Sequence, residues 1–258
     1  MMLIVVFVFG LIVGSFLNVV VLRLNTGEPI IRSRSKCFSC GHKLAVLDLI
    51  PLFSFLVQKG KCRYCQSKIS FQYPLVELIT GIVFLFVVLK ITNYSLFITN
   101  YSLLLAIGYW LAVFSFLIAI SVYDLHHQII QDKFVYPFIG LALIPVVLAE
   151  KALFSHLLSG LSFFGFFALL WLVSRGKWIG FGDAKLALGL GFLLGPWNSL
   201  AAFLFSFWLG GLVGIFLMAF KKKKFNLKTQ IPFGPFLVAG AFLSFLIGDK
   251  FIGLLFGL

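Results

Sequence analysis

Charge is scarce in this sequence, and acidic charge is the scarcest. Only 11% of the 258 residues are charged and only eight are Asp or Glu, whereas 61% are hydrophobic. A soluble domain has about a quarter charged residues and could not bury this much apolar surface. The composition therefore excludes an ordinary soluble enzyme and predicts a polytopic membrane protein.

Long apolar runs fill most of the chain. A membrane-spanning helix needs about 20 apolar residues. The runs predict eight spans, near residues 3–22, 74–91, 101–122, 134–149, 152–174, 178–195, 198–220 and 233–257. In lipid, backbone groups must bond within a helix or a closed barrel, and these runs are too long for barrel strands. The predicted fold class is an all-α polytopic membrane protein with about eight transmembrane helices, plus a small domain outside the membrane.

Basic residues are distributed unevenly between the two sides of this predicted topology. With eight spans, 18 of the 21 Lys and Arg residues fall on one side, including the run Lys221–Lys224. Because cytoplasmic loops carry the excess of Lys and Arg, the N-terminus is predicted outside and residues 23–73 in the cytoplasm. This distribution favours a bilayer partner over nucleic acid. Residues 1–22 lack a basic start and a small-residue cleavage site, so we expect a membrane helix there rather than a cleaved signal peptide.

The only four cysteines lie in the four-cysteine segment (residues 23–73), as the pairs Cys37/Cys40 and Cys62/Cys65. Two CxxC pairs at this separation are typical of a zinc-ribbon-like domain. Four thiolates make a closed structural zinc site, which would stabilise a segment too small to hold much core. Two disulfides are the alternative, but the predicted cytoplasmic location disfavours them.

Two of the acidic residues stand at the predicted cytoplasmic ends of apolar runs. Asp124 ends the third span and Asp183 begins the sixth, which places both at one depth. Two neighbouring carboxyl groups can share a proton and work as base and acid on a peptide bond. Helix-end dipoles favour Asp183 as the base and Asp124 as the acid. From their spacing alone, an equal alternative to this catalytic interpretation is that both aspartates are polar residues that mark the membrane border.

We expect supporting or structural roles for several other residues. Gly180 and Gly182 would let a helix start close to a neighbouring backbone. Lys185 would assist Asp183, although residues two apart do not share a helix face. Asp132, an alternative partner for Asp124, is expected to cap the fourth span or pair with Lys133. Surface or paired roles are expected for Glu28, Asp48, Glu150 and Asp249.

Seven motifs follow one another in a specific order. They are GSFLNVVVLRL at 14–24, CFSCG at 37–41, IPLFSFL at 50–56, GKCRYCQSKISFQYPLVELITG at 60–81, DLHHQIIQDK at 124–133, GFGDAK at 180–185 and IPFGPF at 231–236. In this order, over nearly the full length, the chain resembles the prepilin peptidases, also called type IV leader peptidases. It departs from their usual pattern at Asn25 and Gln131, where Pro is common.

The resemblance implies an intramembrane aspartyl endopeptidase of the GxGD type, with Asp124 and Asp183 at the family's two catalytic positions. Such enzymes cut the basic leader from type IV prepilins or pseudopilins after a Gly, on the cytoplasmic side. Many also methylate the new N-terminus with S-adenosylmethionine. The implied domains are a first transmembrane helix at 1–22, the cytoplasmic four-cysteine domain at 23–73 and the transmembrane peptidase domain at 74–258.

Two other functions use the same residues. A proton- or cation-coupled transporter could use Asp124 and Asp183 as its ion site, but such sites usually lie near the midplane of repeated halves. The sequence has neither a repeat nor a midplane carboxylate. A non-catalytic assembly scaffold could be built on the cysteine domain, and it would tolerate Asn at both aspartates.

Overall fold

A computed structural model describes residues 2–94, 100–148, 153–220 and 231–257. Over these ranges the chain forms eight α-helices and no strand, apart from isolated bridges at Lys36/Lys43 and Lys61/Lys68. The helices are α1 (Met2–Arg23), α2 (Phe53–Val57), α3 (Gln72–Tyr94), α4 (Asn100–His127), α5 (Asp132–Leu148), α6 (Leu153–Ser174), α7 (Phe181–Phe220) and α8 (Gly234–Phe256). The lysine run at 221–224, together with Lys228, Glu150 and Lys151, lies outside the described residues.

The first of two compact units comprises Met1–Ala119. In it α1 and α3 pack antiparallel, with backbones close enough that a Cβ at Gly10 would lie 2.7 Å from the Gly81 Cα atom. A Cβ at Gly14 would lie equally close to the Glu77 Cα atom. Small residues at four-residue spacing are the usual way in which membrane helices approach this closely. The C-terminal end of α1 and the start of α3 therefore lie side by side, and the four-cysteine segment connects them along the chain.

The second unit, Ile120–Leu258, contains the end of α4 and the helices α5 to α8. Its longest helix, α7, reverses direction at Gly195, which has φ 71° and ψ −178° and precedes Pro196. The Ser199 hydroxyl donates to the Leu190 carbonyl at 3.3 Å. In a straight helix nine residues would separate these positions by about 13 Å. The two halves of α7 are thus antiparallel helices joined by a sharp turn.

Six helices of the described residues are long and apolar enough to cross a membrane: α1, α3, α4, α6, α7 and α8. The chain is therefore a multi-pass membrane protein, but eight spans are not confirmed. The reversal divides α7 near the predicted boundary between 178–195 and 198–220. However, the first half of α7 and the 17 residues of α5 are shorter than the about 20 residues of a full span.

Candidate active site and metal site

Five helix ends meet at one end of the second unit. There α4 and α6 finish, and α5, α7 and α8 begin. The three connecting stretches 128–130, 176–180 and 231–233 line a cavity of about 770 Å³, together with Asp124 and Asp183. Most of the other lining residues are apolar, including Ile129, Trp178 and Phe233. Both aspartates thus face one largely apolar cavity at a helix-end surface.

Asp124 is held by the first residue of α8. Its side chain is buried, with 4% of the residue exposed. The Gly234 N–H donates to Asp124 Oδ2 at 3.1 Å. The first N–H groups of a helix have no acceptor within the helix, so they are free to bind a carboxylate. A Cβ at Gly234 would lie only 2.6 Å from that same oxygen, so a larger residue there would displace the carboxylate or the start of α8.

Asp183 is held by the start of its own helix. The Gly180 N–H donates to Asp183 Oδ2 at 3.1 Å, while the Asp183 N–H donates back to the Gly180 carbonyl, also at 3.1 Å. This is the acidic half of a capping box. Only 7% of Asp183 is exposed, and its second oxygen, Oδ1, has no hydrogen-bond partner among the described residues. One oxygen is therefore fixed, and the other is left for water or substrate.

Gly182 brings the start of α7 against the α4–α5 connection. A Cβ at this position would lie 2.7 Å from the Ile130 Cβ atom. At Gly180, by contrast, an added Cβ would meet only an ordinary contact of 3.4 Å with the Asp183 carboxylate. The two glycines of the GxGD sequence therefore have different roles: Gly182 permits close packing, and Gly180 supplies a backbone donor.

The helix ends do not distinguish the two aspartates as a base and an acid, although the helix that carries each residue would do so if taken alone. In the structure, both carboxylates accept a bond from a helix start: Gly180 at α7 for Asp183, and Gly234 at α8 for Asp124. The sequence alone does not predict that the N-terminal end of α8 contacts Asp124, because Gly234 and Asp124 are 110 residues apart.

Lys185 is directed to a different carboxylate. Its Nζ atom lies 2.6 Å from Asp132 Oδ1, and it also lies over the ring of Tyr136, 5.1 Å from the centroid. Asp132 is the first residue of α5, and its described ion pair is with Lys185. This ion pair joins the start of α5 to the second turn of α7.

The four cysteines form a single cluster in the first unit. All four Sγ atoms lie within 4.8 Å of one another, and those of Cys37 and Cys65 are 3.8 Å apart. A zinc ion with Zn–S bonds of about 2.3 Å would place tetrahedral ligands about 3.8 Å apart. The donor set and its spacing fit a metal ion, and no disulfide joins these residues.

Each CxxC pair forms the same backbone turn. The N–H of the residue after the second cysteine donates to the first cysteine's carbonyl, at Gly41 and at Gln66. Both residues have positive φ, 71° and 60°, so the second turn accepts the less favourable non-glycine residue. Hydrogen bonds from backbone N–H groups, foremost that of Cys40, lower the pKa of the Cys37 thiol to about 6, whereas burial and the neighbouring thiols raise the pKa of the Cys40 thiol to about 11. The thiolate, the form that binds metal, is therefore favoured at Cys37.

Two acidic residues of the first unit are more buried than sequence reasoning indicated. The expectation that Asp48 is a solvated surface residue is wrong, because its side chain is only 3% exposed and accepts bonds from Ala45 N–H, Gln58 Nε2 and the Tyr64 hydroxyl. Glu77, which received no role, is also buried, and its Oε2 accepts the Leu52 N–H at 2.8 Å. Both organise the four-cysteine segment.

Comparison with known proteins identifies related sequences over almost the whole chain. The profile of the bacterial peptidase A24 N-terminal domain matches residues 8–91, and that of the type IV leader peptidase family matches residues 111–215. Three similar relatives each bear the name prepilin leader peptidase/N-methyltransferase. The relative from Bacillus subtilis is 34% identical over 97% of this chain and 96% of its own length. That from Pseudomonas aeruginosa is 32% identical over 93% and 89%.

The third relative, from Myxococcus xanthus, is 36% identical over 82% of this chain and 62% of its own length. No solved structure matches the chain. These matches give no support to the transporter alternative.

Proposed function

The chain belongs to the type IV leader peptidase family, and on that premise we propose that it is a membrane endopeptidase in which Asp124 and Asp183 are the catalytic pair. The substrates are type IV prepilins or pseudopilins, cut after a Gly at the cytoplasmic face. The observation that carries the proposal is the pair itself: two buried carboxyl groups line one cavity, each with Oδ2 held by a backbone N–H.

The chemistry uses the pair as one base and one acid. The ionised carboxylate takes a proton from water while the water oxygen bonds to the scissile carbonyl carbon. The protonated carboxyl gives its proton to the carbonyl oxygen. Collapse of this tetrahedral intermediate breaks the C–N bond, and a proton passes to the leaving amine. The Asp183 Oδ1 atom, which is buried and without a described partner, is a suitable contact for the water.

The position of the site suits a substrate that is half in lipid. A prepilin has an apolar helix and a basic leader, so its scissile bond lies at the membrane border. Both aspartates lie in the first or last turns of apolar helices, and exposed apolar side chains such as Ile129 and Trp178 line the cavity between them. The substrate's apolar helix would contact these side chains, and its leader would remain in water.

The test is cleavage of a synthetic substrate with a basic leader, a Gly and an apolar helix, by purified protein in detergent. We expect Asp124→Asn and Asp183→Asn each to abolish cleavage while the protein still inserts. Asp249→Asn is the matched control. Asp249 accepts a hydrogen bond from Asn198 at 2.9 Å, near the opposite end of the second unit. If either aspartate variant cleaves like this control, the assignment is wrong.

We further propose that the metal of the four-cysteine cluster is a structural zinc ion, held by Cys37, Cys40, Cys62 and Cys65. Four thiolate ligands leave no open position for water. The ion would therefore stabilise the segment and take no part in cleavage.

The relatives' second named activity is N-methyltransferase, and we propose it for this chain because it matches the N-terminal domain as well. The amine released by cleavage would be the methyl acceptor and S-adenosylmethionine the donor. Transfer of labelled methyl to the cleaved product, and not to uncleaved substrate, tests this activity separately.

A further inference from the structure

A group of apolar side chains around α2 is exposed, although it belongs to a small folded segment. Its members are Val46, Leu47, Ile50, Phe53, Leu56 and Val57. Phe53 is 60% exposed and Leu56 is 72% exposed. Large contiguous apolar patches on a folded surface mark contact sites for proteins or membranes. We call residues 46–57 the apolar shelf.

A hydrogen bond attaches the apolar shelf to α3. The Leu52 N–H donates to Glu77 Oε2 at 2.8 Å. Leu52 also has φ 60°, a conformation that non-glycine residues rarely adopt. The fold therefore holds its backbone in this conformation at a cost in free energy. Glu77 in turn packs against Gly14 of α1. The shelf is thus attached to the side of the α1–α3 pair.

This attachment sets the depth of the shelf. Glu77 lies five residues after the start of α3, which is about 7.5 Å along the helix axis. The candidate membrane span begins at the same residue as the helix, Gln72. The headgroup layer of a bilayer is about 5–7 Å thick on each side of the hydrocarbon core. Leu52 is therefore attached about 7.5 Å beyond the first residue of the candidate span, a distance comparable with the thickness of the headgroup layer.

Basic residues border the shelf. Together with Leu47, Ile50 and Phe53, the side chains of Lys59, Lys61 and Arg63 line one cavity of about 450 Å³. Asp48 also lines it, with its Oδ1 atom 4.0 Å from Arg63 Nη1, so the two lysines carry the net positive charge. Apolar groups beside Lys and Arg match the chemistry of a membrane interface, in which acyl chains lie beneath anionic headgroups.

We propose that the apolar shelf is immersed in the membrane interface, with its apolar side chains among the upper acyl chains and Lys59, Lys61 and Arg63 at the lipid phosphates. The four-cysteine segment is then a monotopic element fixed to the bilayer surface rather than a domain free in water. Lipid is the occupant because both ends of the segment continue into membrane helices and because the shelf is attached to α3 near the start of its candidate span.

The test measures immersion in the full-length protein reconstituted in vesicles that contain anionic lipid. Trifluoromethylphenylalanine is placed at Phe53, and fluorine relaxation is measured with a nitroxide carried on lipid and with a water-soluble nickel chelate. The control position is Phe38, which is 75% exposed and lies in the first cysteine turn. We expect the lipid nitroxide to relax the probe at position 53 several-fold more than the probe at position 38, and nickel to show the opposite order.

Two results would overturn the proposal. Relaxation of position 53 by nickel but not by the lipid nitroxide would mean that the shelf faces water. Protection from both agents would mean that a protein surface, such as a second copy of this chain, covers it. A probe at Leu56 repeats the measurement independently, in case the substitution at Phe53 disturbs the fold.

Discussion

Replacement of Gly234 by alanine should damage catalysis without damaging the fold. The added Cβ atom would lie 2.6 Å from Asp124 Oδ2, and ordinary contact begins near 3.4 Å. The carboxylate must therefore retreat by about 0.8 Å, unless the start of α8 moves instead. Either movement breaks or lengthens the 3.1 Å bond from the Gly234 N–H.

The expected size of the effect follows from this displacement. A misplacement of about 1 Å at a reacting group can cost about 100-fold in rate, and the lost hydrogen bond to a charged group contributes about 1.5–3 kcal/mol. We therefore expect a fall of about 10- to 100-fold in kcat/KM, equivalent to about 1.4–2.7 kcal/mol. The loss should appear mainly in kcat, because the substrate's apolar helix and leader bind elsewhere.

The assay is cleavage of the same leader-bearing peptide in detergent, with Gly211→Ala as the control. Gly211 also lies in a helix of the second unit, but an added Cβ would meet no atom within 4 Å. Its replacement by alanine removes a flexible residue from a helix. Cleavage should be unchanged, and the melting temperature should be unchanged or slightly raised. If Gly234→Ala is folded and cleaves within twofold of Gly211→Ala, the backbone of α8 does not position Asp124.

Three further outcomes are expected. Asp132→Asn should lower cleavage by less than about tenfold, because a partly exposed ion pair contributes about 0–1 kcal/mol. Adding Lys185→Met to that variant should not lower cleavage further, because the released cation is then absent, and additive losses would show separate roles. Gly182→Ala should lose most activity, whereas Gly180→Ala should retain it, and equal losses would refute the packing argument. Metal analysis should give about one zinc per chain. The variant Cys62→Ser should lose zinc binding but keep the circular dichroism spectrum of the helices. Zinc retained by that variant would refute the four-thiolate site.

Sequence reasoning works best here where a requirement is local or imposed by lipid. The all-helical class follows from apolar runs, and the four-cysteine cluster follows from the spacing within and between two CxxC pairs. The helical class follows because backbone groups in lipid must form their hydrogen bonds within the protein. The cysteine cluster depends on residues that are near in sequence. The cysteine turns illustrate this, since each is closed by hydrogen bonds between residues at most five apart.

Features that depend on tertiary contacts could not be predicted in the same way. The burial of Asp48 depends on Tyr64, which lies 16 residues away, and the partner of Lys185 lies 53 residues away. Gly234 was visible only as part of the IPFGPF sequence, and nothing local indicated that its N–H meets Asp124. The exact number of spans also depends on packing, because the short helix α5 and the first half of α7 do not meet the length rule alone.

The way in which the two aspartates are held suits the proposed mechanism, in which the pair shares one proton. A Lys or Arg bonded to either carboxyl group would hold it permanently ionised, whereas a backbone N–H binds it without adding a full charge. Helix starts supply such donors, since their first N–H groups have no acceptor within the helix. Lys185 follows Asp183 by only two residues, yet its described ion pair is with Asp132. We infer that Asp132 serves the site by keeping this cation away from the pair, so that one carboxyl group can remain protonated while the other accepts a proton from water.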